Sequence, residues 1–474
     1  MNFEAVIGLE IHVEMNTKSK MFSNAPICYG ELPNSLTVPL DLAFPGTMPV
    51  VNKQAVINAI RVCNALNMTI DRELWFDRKN YFYSDLPKGY QITQQQRPIG
   101  SNGALEINTS LGKRNISIER LHLEEDTCKQ LHSWDCTLLD YNRAGIPLVE
   151  IVSRPDLRSG EEARQYVEKI RSIVTFLDVS TGKMEEGSLR CDVNISLRPI
   201  GAEKLGTKVE IKNLNSFANI EKAVDYEIKR QEKVLLSGGA VAQETRRFDE
   251  GFKQTILMRL KTDAVDYKYF VEPNIPPIKL SEEFIKNAIE TSPELAEVKL
   301  TRYQNLGLND YDSQMLISNK KICSYFDEAI KSGASAKLLA NWIIVDVQAI
   351  LNKEMIDIDQ FKVSPQNLGK LVLMIEKQQV SNKQGREIFQ KLVEKNEDPE
   401  IIKKVLGVDL ISDGDMISQA VKEIVDGNPQ AIIDYQNGKD RAVGFLVGQV
   451  MKKMAGKANP ALVNKFVVEE LKRR

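Results

Sequence analysis

Apolar and polar residues alternate in the segment VIGLEIHVEMN, residues 6–16. A repeat of two residues predicts a half-buried β-strand, because successive side chains of a strand point to opposite faces. The polar face carries Glu10, His12 and Glu14, and next-but-one residues on a strand lie roughly 6.5–7 Å apart. Two carboxylates beside an imidazole suit a divalent cation, although a solvated strand face also explains this single segment.

Three further segments alternate in the same way and place acids, histidine, arginine or amides on the outward face. They are residues 116–125, 190–196 and 208–212. Because these residue types ligate metals or contact phosphate groups, the recurrence favours one shared functional face over an ordinary solvated sheet. Glu124 and Glu125 are neighbours that point to opposite faces, so only one of them can join Glu10 and His12 unless the strand ends there.

Apolar residues at helical spacing predict helices over about 52–66, 161–178 and 218–236. Strand patterns stop near residue 293, and only helical periodicity follows. The chain is therefore predicted to belong to the α+β class. We expect a catalytic domain at 1–292, a helical domain at 293–405 and a small all-α tail domain at 406–474.

The composition is that of a globular protein of 474 residues with a formal net charge of −2. No apolar run approaches the roughly 20 residues that span a membrane, and the N-terminus lacks a secretory-signal pattern, so a cytoplasmic location is expected. The six cysteines are scattered without a CxxC pair, which argues against disulfides and a structural zinc site. Residues 439–474 carry nine Lys or Arg against three Asp or Glu, a bias that fits a nucleic-acid backbone or a solvated face equally well.

Several common catalytic motifs are missing from the sequence. There is no P-loop, no dinucleotide-binding glycine motif and no nucleophile elbow. A Cys–His nucleophile is poorly supported, since the chain has only three histidines. An enzyme built on this chain would therefore work with a metal and carboxylates. Oxygen-rich faces suit Mg²⁺, which bridges nucleotide phosphates, whereas a histidine ligand leaves Mn²⁺ or Zn²⁺ open.

Two cations fit the same chemistry. Arg190 and Lys88 are candidates for neutralising charge on a transferring phosphoryl group, which is mainly a problem of positioning and electrostatics. The alternative for Arg190 is a purely structural role as a partner of Asp192 or Glu210. Lys88 lies in a Pro-Gly turn among aromatic residues, where a substrate contact and a structural role are both open.

Eight segments of the chain form a longer pattern. They are IGLEIHVE (7–14), YFYSDLPKGYQITQ (81–94), HLEEDTCK (122–129), DYNRAGIPLVEIVSRPD (140–156), GSLRCDVNIS (187–196), EIKNLNSF (210–217), QETRRF (243–248) and DYKYFVEP (266–273). Together they closely resemble the B subunit of the bacterial tRNA-dependent amidotransferase, the aspartyl/glutamyl-tRNA(Asn/Gln) amidotransferase. The resemblance covers essentially the whole chain.

The resemblance implies a cradle domain with a mainly antiparallel sheet related to glutamine synthetase, followed by a helical domain and a tail that contacts tRNA. It implies that ATP and Mg²⁺, with Mn²⁺ as an alternative ion, phosphorylate the side-chain carboxylate of Glu misacylated on tRNA(Gln) or Asp misacylated on tRNA(Asn). Ammonia then displaces the phosphate to give Gln-tRNA(Gln) or Asn-tRNA(Asn). The implied partners are an amidase, the A subunit, which releases the ammonia from glutamine, and a small C subunit; with this chain they form a heterotrimer.

The resemblance also implies roles for individual residues. The metal-binding set is implied at Glu10, His12 and Glu125, with Glu124 and Asp192 as further acids near it. The polar wall around the nucleotide and the aminoacyl end is implied at Ser188, Arg190, Asn194, Glu210, Lys212 and Asn213. The loop beside the pocket and the ammonia path is implied at Tyr81, Tyr83, Lys88 and Tyr90. Catalytic roles fall to Lys88, Glu125, Arg190 and Glu210, whereas Glu14 is expected to be a rim or structural residue and not a ligand.

One departure from the family pattern matters. Many members hold zinc with cysteines in the region that matches residues 22–44, but this chain has only Cys28 there. Zinc is therefore not expected, and the loop must be held by packing. Two other functions remain to be weighed against the amidotransferase: a tRNA-docking subunit whose partner does all the chemistry, and an amide ligase for a free amino acid. Docking needs no carboxylate wall, and a free amino acid leaves the basic tail without a role.

Overall fold

The computed structural model describes residues 2–260, 266–407, 414–436, 439, 441–454 and 458–474. The chain divides into two units, of which the first ends at Ala296 and the second begins at Glu297. This division falls slightly after the domain boundary expected at 292. The boundary expected between residues 405 and 406 stays a prediction.

The first unit contains all the strands of the described residues. In chain order they are β1 (Phe3–Glu14), β2 (Thr69–Ile70), β3 (Glu73–Leu74), β4 (Asp77–Asn80), β5 (Tyr90–Thr93), β6 (Gly100–Thr109), β7 (Gly112–Glu125), β8 (Lys129–His132), β9 (Thr137–Asp140), β10 (Pro147–Ser153), β11 (Leu189–Pro199), β12 (Val209–Lys212), β13 (Glu244–Asp249), β14 (Gln254–Leu260), β15 (Phe270–Val271) and β16 (Ile278–Lys279). Its helices are α1 (Lys53–Ala65), α2 (Gly160–Phe176), α3 (Phe217–Leu236) and α4 (Glu282–Glu290).

Nine strands form one sheet in the order β14-β13-β12-β11-β1-β10-β7-β6-β2. Neighbouring strands are antiparallel except β12 and β13, which are parallel. The predicted α+β class with a mainly antiparallel sheet is confirmed. The likeness to glutamine synthetase stays a prediction. Strand β1, the segment with the clearest alternation, lies at the centre of the sheet.

One face of the sheet is the apolar core, and helices α1, α2 and α3 pack against it. Leu9 and Ile11 of β1 are fully buried in this core. The predicted helices form because each has an apolar stripe and a cap: the side chain of Asn52 accepts hydrogen bonds from two backbone N–H groups at the start of α1, and that of Ser159 does the same for one at the start of α2. The opposite face of the sheet remains for polar residues.

The loop between β1 and α1 is held by a buried ion pair as well as by packing. Lys20 is fully buried, and its Nζ lies 3.1 Å from Asp41 Oδ2 and donates to the carbonyl oxygen of Tyr141. Ser23 donates to the other carboxylate oxygen of Asp41 at 2.8 Å. Burial lowers the pKa of Lys20 in spite of Asp41. The expectation that packing alone orders this loop was therefore incomplete.

The described part of the second unit is helical. Its α-helices are α5 (Ala296–Asn305), which starts at the unit boundary, α6 (Asp310–Ile317), α7 (Lys320–Ala329), α8 (Ala336–Asn341), α9 (Gln348–Glu354), α10 (Pro365–Glu376), α11 (Asn382–Glu394), α12 (Pro399–Leu406), α13 (Gly414–Asp426), α14 (Pro429–Gln436), α15 (Arg441–Lys453) and α16 (Pro460–Arg473), with 3-10 turns at 330–332 and 358–360 and a π-helix at Trp342–Val347. The last four helices share a buried cluster of their own. Within the ranges described, no helix has the length and apolar character needed to cross a membrane.

Candidate functional site

The register of the sheet brings polar residues from distant parts of the chain into rows. His12 on β1 lies opposite Arg190 on β11 and Glu150 on β10. Glu10, two residues away on the same face, lies opposite Asp192 on β11. Side chains that pair across neighbouring strands share a face, so the polar faces predicted from alternation meet on one surface.

Three carboxylates form the first cluster, which we call the Glu10 group: Glu10, Asp192 and Glu210. One oxygen from each lies within 4.8 Å of the others. Asn194 Nδ2 donates to Glu10 Oε1 at 2.8 Å. Lys212 Nζ forms an ion pair with Asp192 and lies 3.2 Å from Glu210 Oε1. The group therefore already contains one cation of the protein, which neutralises part of the charge of its carboxylates.

The second cluster, the His12 group, consists of His12, Glu124 and Glu150. His12 Nε2 lies 3.4 Å from Glu150 Oε2 and 3.6 Å from Glu124 Oε1. These separations exceed those of good hydrogen bonds, whereas ligands of one Mg²⁺ at about 2.1 Å stand roughly 3 Å or more apart. Two carboxylates and an imidazole at this spacing fit a divalent ion. The histidine ligand suits Mn²⁺ better than Mg²⁺.

A second histidine contacts the carboxylates of the His12 group. His122 on β7 is buried, and its Nε2 lies 2.9 Å from Glu150 Oε2. Burial alone would lower the pKa of His122, but Glu150 and Glu124 outweigh it and raise that pKa to about 9. The pKa of His12 is also raised, since the same carboxylates outweigh its burial. The pKa of Glu150 falls well below its ordinary value, because the two imidazoles outweigh desolvation.

Arg190 completes the row beside His12, but its carboxylate partner is one that the sequence did not indicate. Its Nη2 donates to Asp126 Oδ2 at 2.9 Å. The suggested pairing of Arg190 with Asp192 or Glu210 is therefore wrong; Asp126 follows directly after β7 and reaches the same end of the face. Asp126 is buried, which would raise its pKa, but Arg190 and Arg143 lower it overall.

Glu14 lies at the end of this row as a buried residue. The hydroxyl of Tyr29 donates to Glu14 Oε2 at 2.6 Å. Burial and the neighbouring Asp126 raise the pKa of Glu14 to about 8. Of the two roles expected for Glu14, rim or structural, its buried position fits the structural one, since Tyr29 covers the side chain and donates to it.

Glu125 does not join Glu10 and His12. Its Oε1 forms an ion pair with Lys88 Nζ and accepts a hydrogen bond from the backbone N–H of Ile92 at 3.0 Å. Glu124, its neighbour, lies beside His12 instead. The expected grouping of Glu10, His12 and Glu125 around one ion is therefore corrected. Successive residues of β7 point to opposite faces of the sheet, and Glu124, not Glu125, points to the face that carries Glu10 and His12.

A polar cavity of about 740 Å³ lies next to the Glu10 group, because Lys212, which pairs with that group, lines it. We call it the tyrosine–lysine cavity. Its lining includes the cations Lys79, Lys129, Arg143, Lys212 and Arg259, the single acid Asp85, and the aromatic residues Tyr81, Tyr83 and Tyr267. Within the described residues, Lys79, Lys129 and Arg259 form no ion pair with a carboxylate. The cavity therefore carries an excess of positive charge.

Three aromatic rings form a series, of which Tyr81 and Tyr267 line this cavity. The rings of Tyr81 and Tyr267 lie 5.9 Å apart, and those of Tyr267 and Tyr269 lie 6.1 Å apart. Lys79 Nζ lies 4.9 Å from the ring centre of Tyr267. Burial lowers the pKa of Lys79, but Glu124 and other nearby groups raise it overall. Lys79 thus connects the cavity electrostatically to the His12 group.

The remaining predicted residues are divided among three places. Asn213 lines the tyrosine–lysine cavity with a left-handed backbone, at φ 60°. Lys88 and Tyr90 line a separate cavity of about 200 Å³, where the guanidinium of Arg78 lies 4.0 Å from the ring of Tyr90. Ser188 is buried, and its hydroxyl bonds to the backbone of Lys183. The structure therefore places Ser188 inside the turn before β11 and away from the polar face.

Glu150, His122 and Asp126 were missed as site residues. The segment PLVEIVS of β10 has one acid among apolar residues, and this lone acid was the available signal for Glu150. His122 and Asp126 flank the two glutamates that were selected. Their part in the site depends on which residues face each other across strands, and the spacing along one segment does not give this.

Comparison with known proteins identifies the family of the chain. Residues 5–286 match the GatB/GatE catalytic domain family, and residues 324–471 match the GatB domain family. The chain is 49% identical over 476 aligned residues to the B subunit of the aspartyl/glutamyl-tRNA(Asn/Gln) amidotransferase of Geobacillus thermodenitrificans, and 50% identical to the proteins of the same name from Bacillus cereus and Bacillus mycoides. Each alignment covers the whole of both chains. The chain therefore belongs to the family of aspartyl/glutamyl-tRNA(Asn/Gln) amidotransferase B subunits.

Proposed function

We propose that this chain is the ATP-dependent subunit of a glutamine-dependent amidotransferase, a ligase that forms a carbon–nitrogen bond on misacylated tRNA. In the first step, a side-chain carboxylate oxygen of Glu on tRNA(Gln) or Asp on tRNA(Asn) bonds to the γ-phosphorus of ATP, and ADP leaves. In the second step, ammonia bonds to the carbonyl carbon and phosphate leaves with the bonding electrons. The ammonia gives up a proton to a base.

One observation carries this proposal: two clusters of metal-ligand type lie two residues apart on the same face of β1. The Glu10 group and the His12 group each offer three ligand atoms, and together they would hold two divalent ions, Mg²⁺ or Mn²⁺. Such ions stabilise the charge on a transferring phosphoryl group. The chain's own contribution is to fix the ligands on neighbouring strands, which are more rigid than loops.

Two protein cations stand beside these groups. Lys212 contacts the Glu10 group, and Arg190 lies opposite His12 with a guanidinium that is partly exposed. Asp126 holds Arg190 through one nitrogen, which leaves other N–H groups for a phosphate oxygen. Both cations would neutralise negative charge as the carboxylate approaches the phosphoryl group.

The tyrosine–lysine cavity is the proposed site of the aminoacyl end of the tRNA. Single-stranded nucleic acid binds where a cationic groove lies beside aromatic rings on which bases stack. Lys129 and Arg259 would contact the phosphates, and Tyr81 and Tyr267 would contact the bases. Lys79 and Lys212 border both the cavity and the acid groups, so the end of the strand would reach the phosphoryl group. The tail domain, residues 406–474, is proposed to contact the tRNA backbone through its basic last part, residues 439–474.

The pair formed by Lys88 and Glu125 is proposed to handle ammonia. Both side chains are largely buried, and the pair lies where β5 meets the end of β7. A carboxylate in this position can accept a proton from ammonium, so that free ammonia attacks. The chain offers no recognised amidase nucleophile, so an amidase partner would release the ammonia from glutamine and a small third subunit would complete a heterotrimer.

The test compares two reactions of the assembled complex. His12→Ala is expected to lower ATP-dependent amide formation on Glu-tRNA(Gln) or Asp-tRNA(Asn) by about 10²–10³-fold, because a ligand of the phosphoryl-transfer site is lost. Glutamine hydrolysis by the partner should be little changed. Glu125→Ala should lower amide formation in the same way.

The matched control is Glu119→Ala, which removes an exposed acid of β7 outside both groups. It should leave both reactions at the wild-type rate. Normal amide formation by His12→Ala would overturn the proposal and would favour a protein that only docks tRNA.

A further inference from the structure

One acid lies among the cations that line the tyrosine–lysine cavity. This acid is Asp85, and it shares the cavity with five basic residues, Lys79, Lys129, Arg143, Lys212 and Arg259. The carboxylate oxygen Oδ1 of Asp85 is buried and has no hydrogen-bond partner. Most buried polar atoms in proteins do have a partner. This oxygen is therefore available to a group that enters the cavity.

The basic residues of the cavity do not neutralise Asp85. Arg143 donates to two backbone carbonyl oxygens, both at 2.9 Å. Lys212 is paired with the acids of the Glu10 group, and Lys79 Nζ lies over the ring of Tyr267. Across the part of the chain that the structure describes, Asp85 forms no ion pair. Its negative charge is thus left for a ligand.

Backbone hydrogen bonds hold the loop of residues 81–89, which carries Asp85. The backbone N–H of Cys128 donates to the carbonyl oxygen of Asp85 at 3.1 Å, and the hydroxyl of Tyr141 donates to that of Ser84 at 3.0 Å. Leu86, the next residue, is buried. The loop is therefore tied to the segments on either side of the β8–β9 hairpin without the carboxylate of Asp85, whose conservation of shape alone would be met by an amide.

The charges of the substrate indicate which group suits Asp85. The aminoacyl end of a tRNA carries phosphates, and a Glu or Asp residue on it adds a side-chain carboxylate, so an acid in the cavity repels all of these groups. The one cation at this end is the α-ammonium group of the amino acid, whose amino group takes up a proton near neutral pH. A hydrogen bond between an ammonium group and a carboxylate is roughly twice as strong as one between neutral groups.

We propose that Asp85 binds the α-ammonium group of the misacylated Glu or Asp and so determines specificity for an aminoacyl-tRNA. The proposal rests on the amide-forming function given above and adds a residue that recognises the amino acid. Lys212 lines the same cavity and contacts the Glu10 group. The side-chain carboxylate would therefore lie toward Lys212 and the ammonium group toward Asp85. Charges of opposite sign would hold the two ends of the amino acid and orient the carboxylate for phosphoryl transfer.

The experiment compares two substrates of the assembled complex in the presence of ATP, Mg²⁺ and glutamine. One is the misacylated tRNA, Glu-tRNA(Gln) or Asp-tRNA(Asn). The other is the same tRNA after nitrous acid has converted the α-amino group to a hydroxyl, which is neutral and of similar size. The wild type is expected to use this hydroxyacyl-tRNA with a kcat/KM about ten- to a hundredfold lower, because one charged hydrogen bond is lost.

Asp85→Asn keeps the size of the side chain and removes its charge. It should lower kcat/KM for the aminoacyl-tRNA by about ten- to a hundredfold, mainly through KM, and leave that for the hydroxyacyl-tRNA near the wild-type value. Asp85→Glu restores a carboxylate and should recover part of the preference. The matched control is Asp135→Asn, which removes an exposed acid between β8 and β9 outside the cavity and should keep the wild-type preference.

Equal losses with both tRNAs in Asp85→Asn would overturn the proposal, because they would assign Asp85 to the shape of the loop. A second source of the same cation is the ammonium that the reaction consumes. If Asp85→Asn raises the KM for ammonium chloride, supplied in place of glutamine, and leaves the preference between the two tRNAs unchanged, Asp85 serves that ammonium and the proposal is overturned.

The wild type alone gives a decisive result if Asp85→Asn does not fold. Equal use of the two tRNAs by the wild type would overturn the proposal. A wild type that forms no amide from either tRNA would refute the amide-forming function itself. The ratio of the dissociation constants of the two tRNAs then tests Asp85 separately, and tighter binding of the aminoacyl form is expected.

Discussion

The Glu10 group and the His12 group are neighbours on one strand, but the chain balances their charge in different ways. The Glu10 group consists of three half-buried carboxylates that share the ammonium group of Lys212. The His12 group is more deeply buried, and imidazoles provide its positive charge. A lysine can leave when a metal arrives, whereas a protonated imidazole must lose its proton before it can serve as a ligand.

This difference shows how one face can hold two ions whose binding depends on different conditions. Occupation of the Glu10 group depends on displacing an ammonium group, which is largely independent of pH near neutrality. Occupation of the His12 group depends on proton release from His12, whose pKa is raised by Glu150 and Glu124 against its burial. We therefore expect Mn²⁺ to bind the His12 group more tightly as pH rises, with proton release measurable by calorimetry in buffers of different ionisation enthalpy.

The largest expected effect is on the rate of amide formation when one carboxylate of each group is replaced. Glu150→Gln removes the carboxylate that contacts both histidines and should lower amide formation by about 10³-fold, because the imidazoles lose their counter-charge together with a metal ligand. Glu210→Gln leaves two carboxylates and Lys212 in the Glu10 group and should cost about 10²-fold. Rates measured at saturating ATP test this order, and equal losses would show that the groups are not different in kind.

The next effect is on stability in the absence of metal. The pKa of His122 is about 9 in the folded chain and about 6.5 in an unfolded one. A raised pKa means that the stabilisation is complete below pH 6.5 and is lost as pH rises through 9. The free energy of unfolding should fall over this interval by on the order of 3 kcal/mol from His122 alone.

Urea unfolding in EDTA at several pH values checks this prediction. His122→Gln should show a flatter pH dependence than the wild type. The control His132→Gln removes an exposed histidine of β8 and should keep the wild-type profile. Identical profiles for His122→Gln and the wild type would contradict the charge balance assigned to the His12 group.

The smallest effect concerns Lys212. Lys212→Ala removes the internal cation of the Glu10 group, so Mn²⁺ should bind there about three- to tenfold more tightly, because three carboxylates lose a competitor. Amide formation should nevertheless fall, since Lys212 also faces the tyrosine–lysine cavity. The control Lys204→Ala removes an exposed lysine of the loop after β11. Weaker Mn²⁺ binding in Lys212→Ala would contradict the role of Lys212 as a competitor.

Much of the fold could be predicted from sequence because each element has one apolar side. The alternation around Leu9 and Ile11 predicts β1, and the apolar stripes of 52–66 and 161–178 predict α1 and α2. The short strands were missed, and so were β14 at one edge of the sheet and its neighbour β13. Edge and short strands bury little surface, so their sequences carry weak alternation.

The site could be predicted only in part. Spacing along one strand shows which of its residues share a face, but the register between strands determines which residues of neighbouring strands lie side by side. Alternation placed Glu10 and His12 on one face correctly, and the choice between Glu124 and Glu125 was left to the family resemblance. The pairing of the strands places Glu124 and Glu150 beside His12. Glu125 instead forms an ion pair with Lys88, which lies in a distant loop. A one-residue difference in pairing exchanges the faces of a strand, and no pattern within one segment specifies it.

The proposed mechanism depends on two ions, one at each group, acting in one phosphoryl transfer. The most direct measurement is the anomalous scattering of Mn²⁺ in crystals of the assembled complex with a non-hydrolysable ATP analogue. Two peaks are expected, one among Glu10, Asp192 and Glu210 and one among His12, Glu124 and Glu150. A peak beside Glu125 and Lys88, or no peak at the His12 group, would contradict the two-ion mechanism.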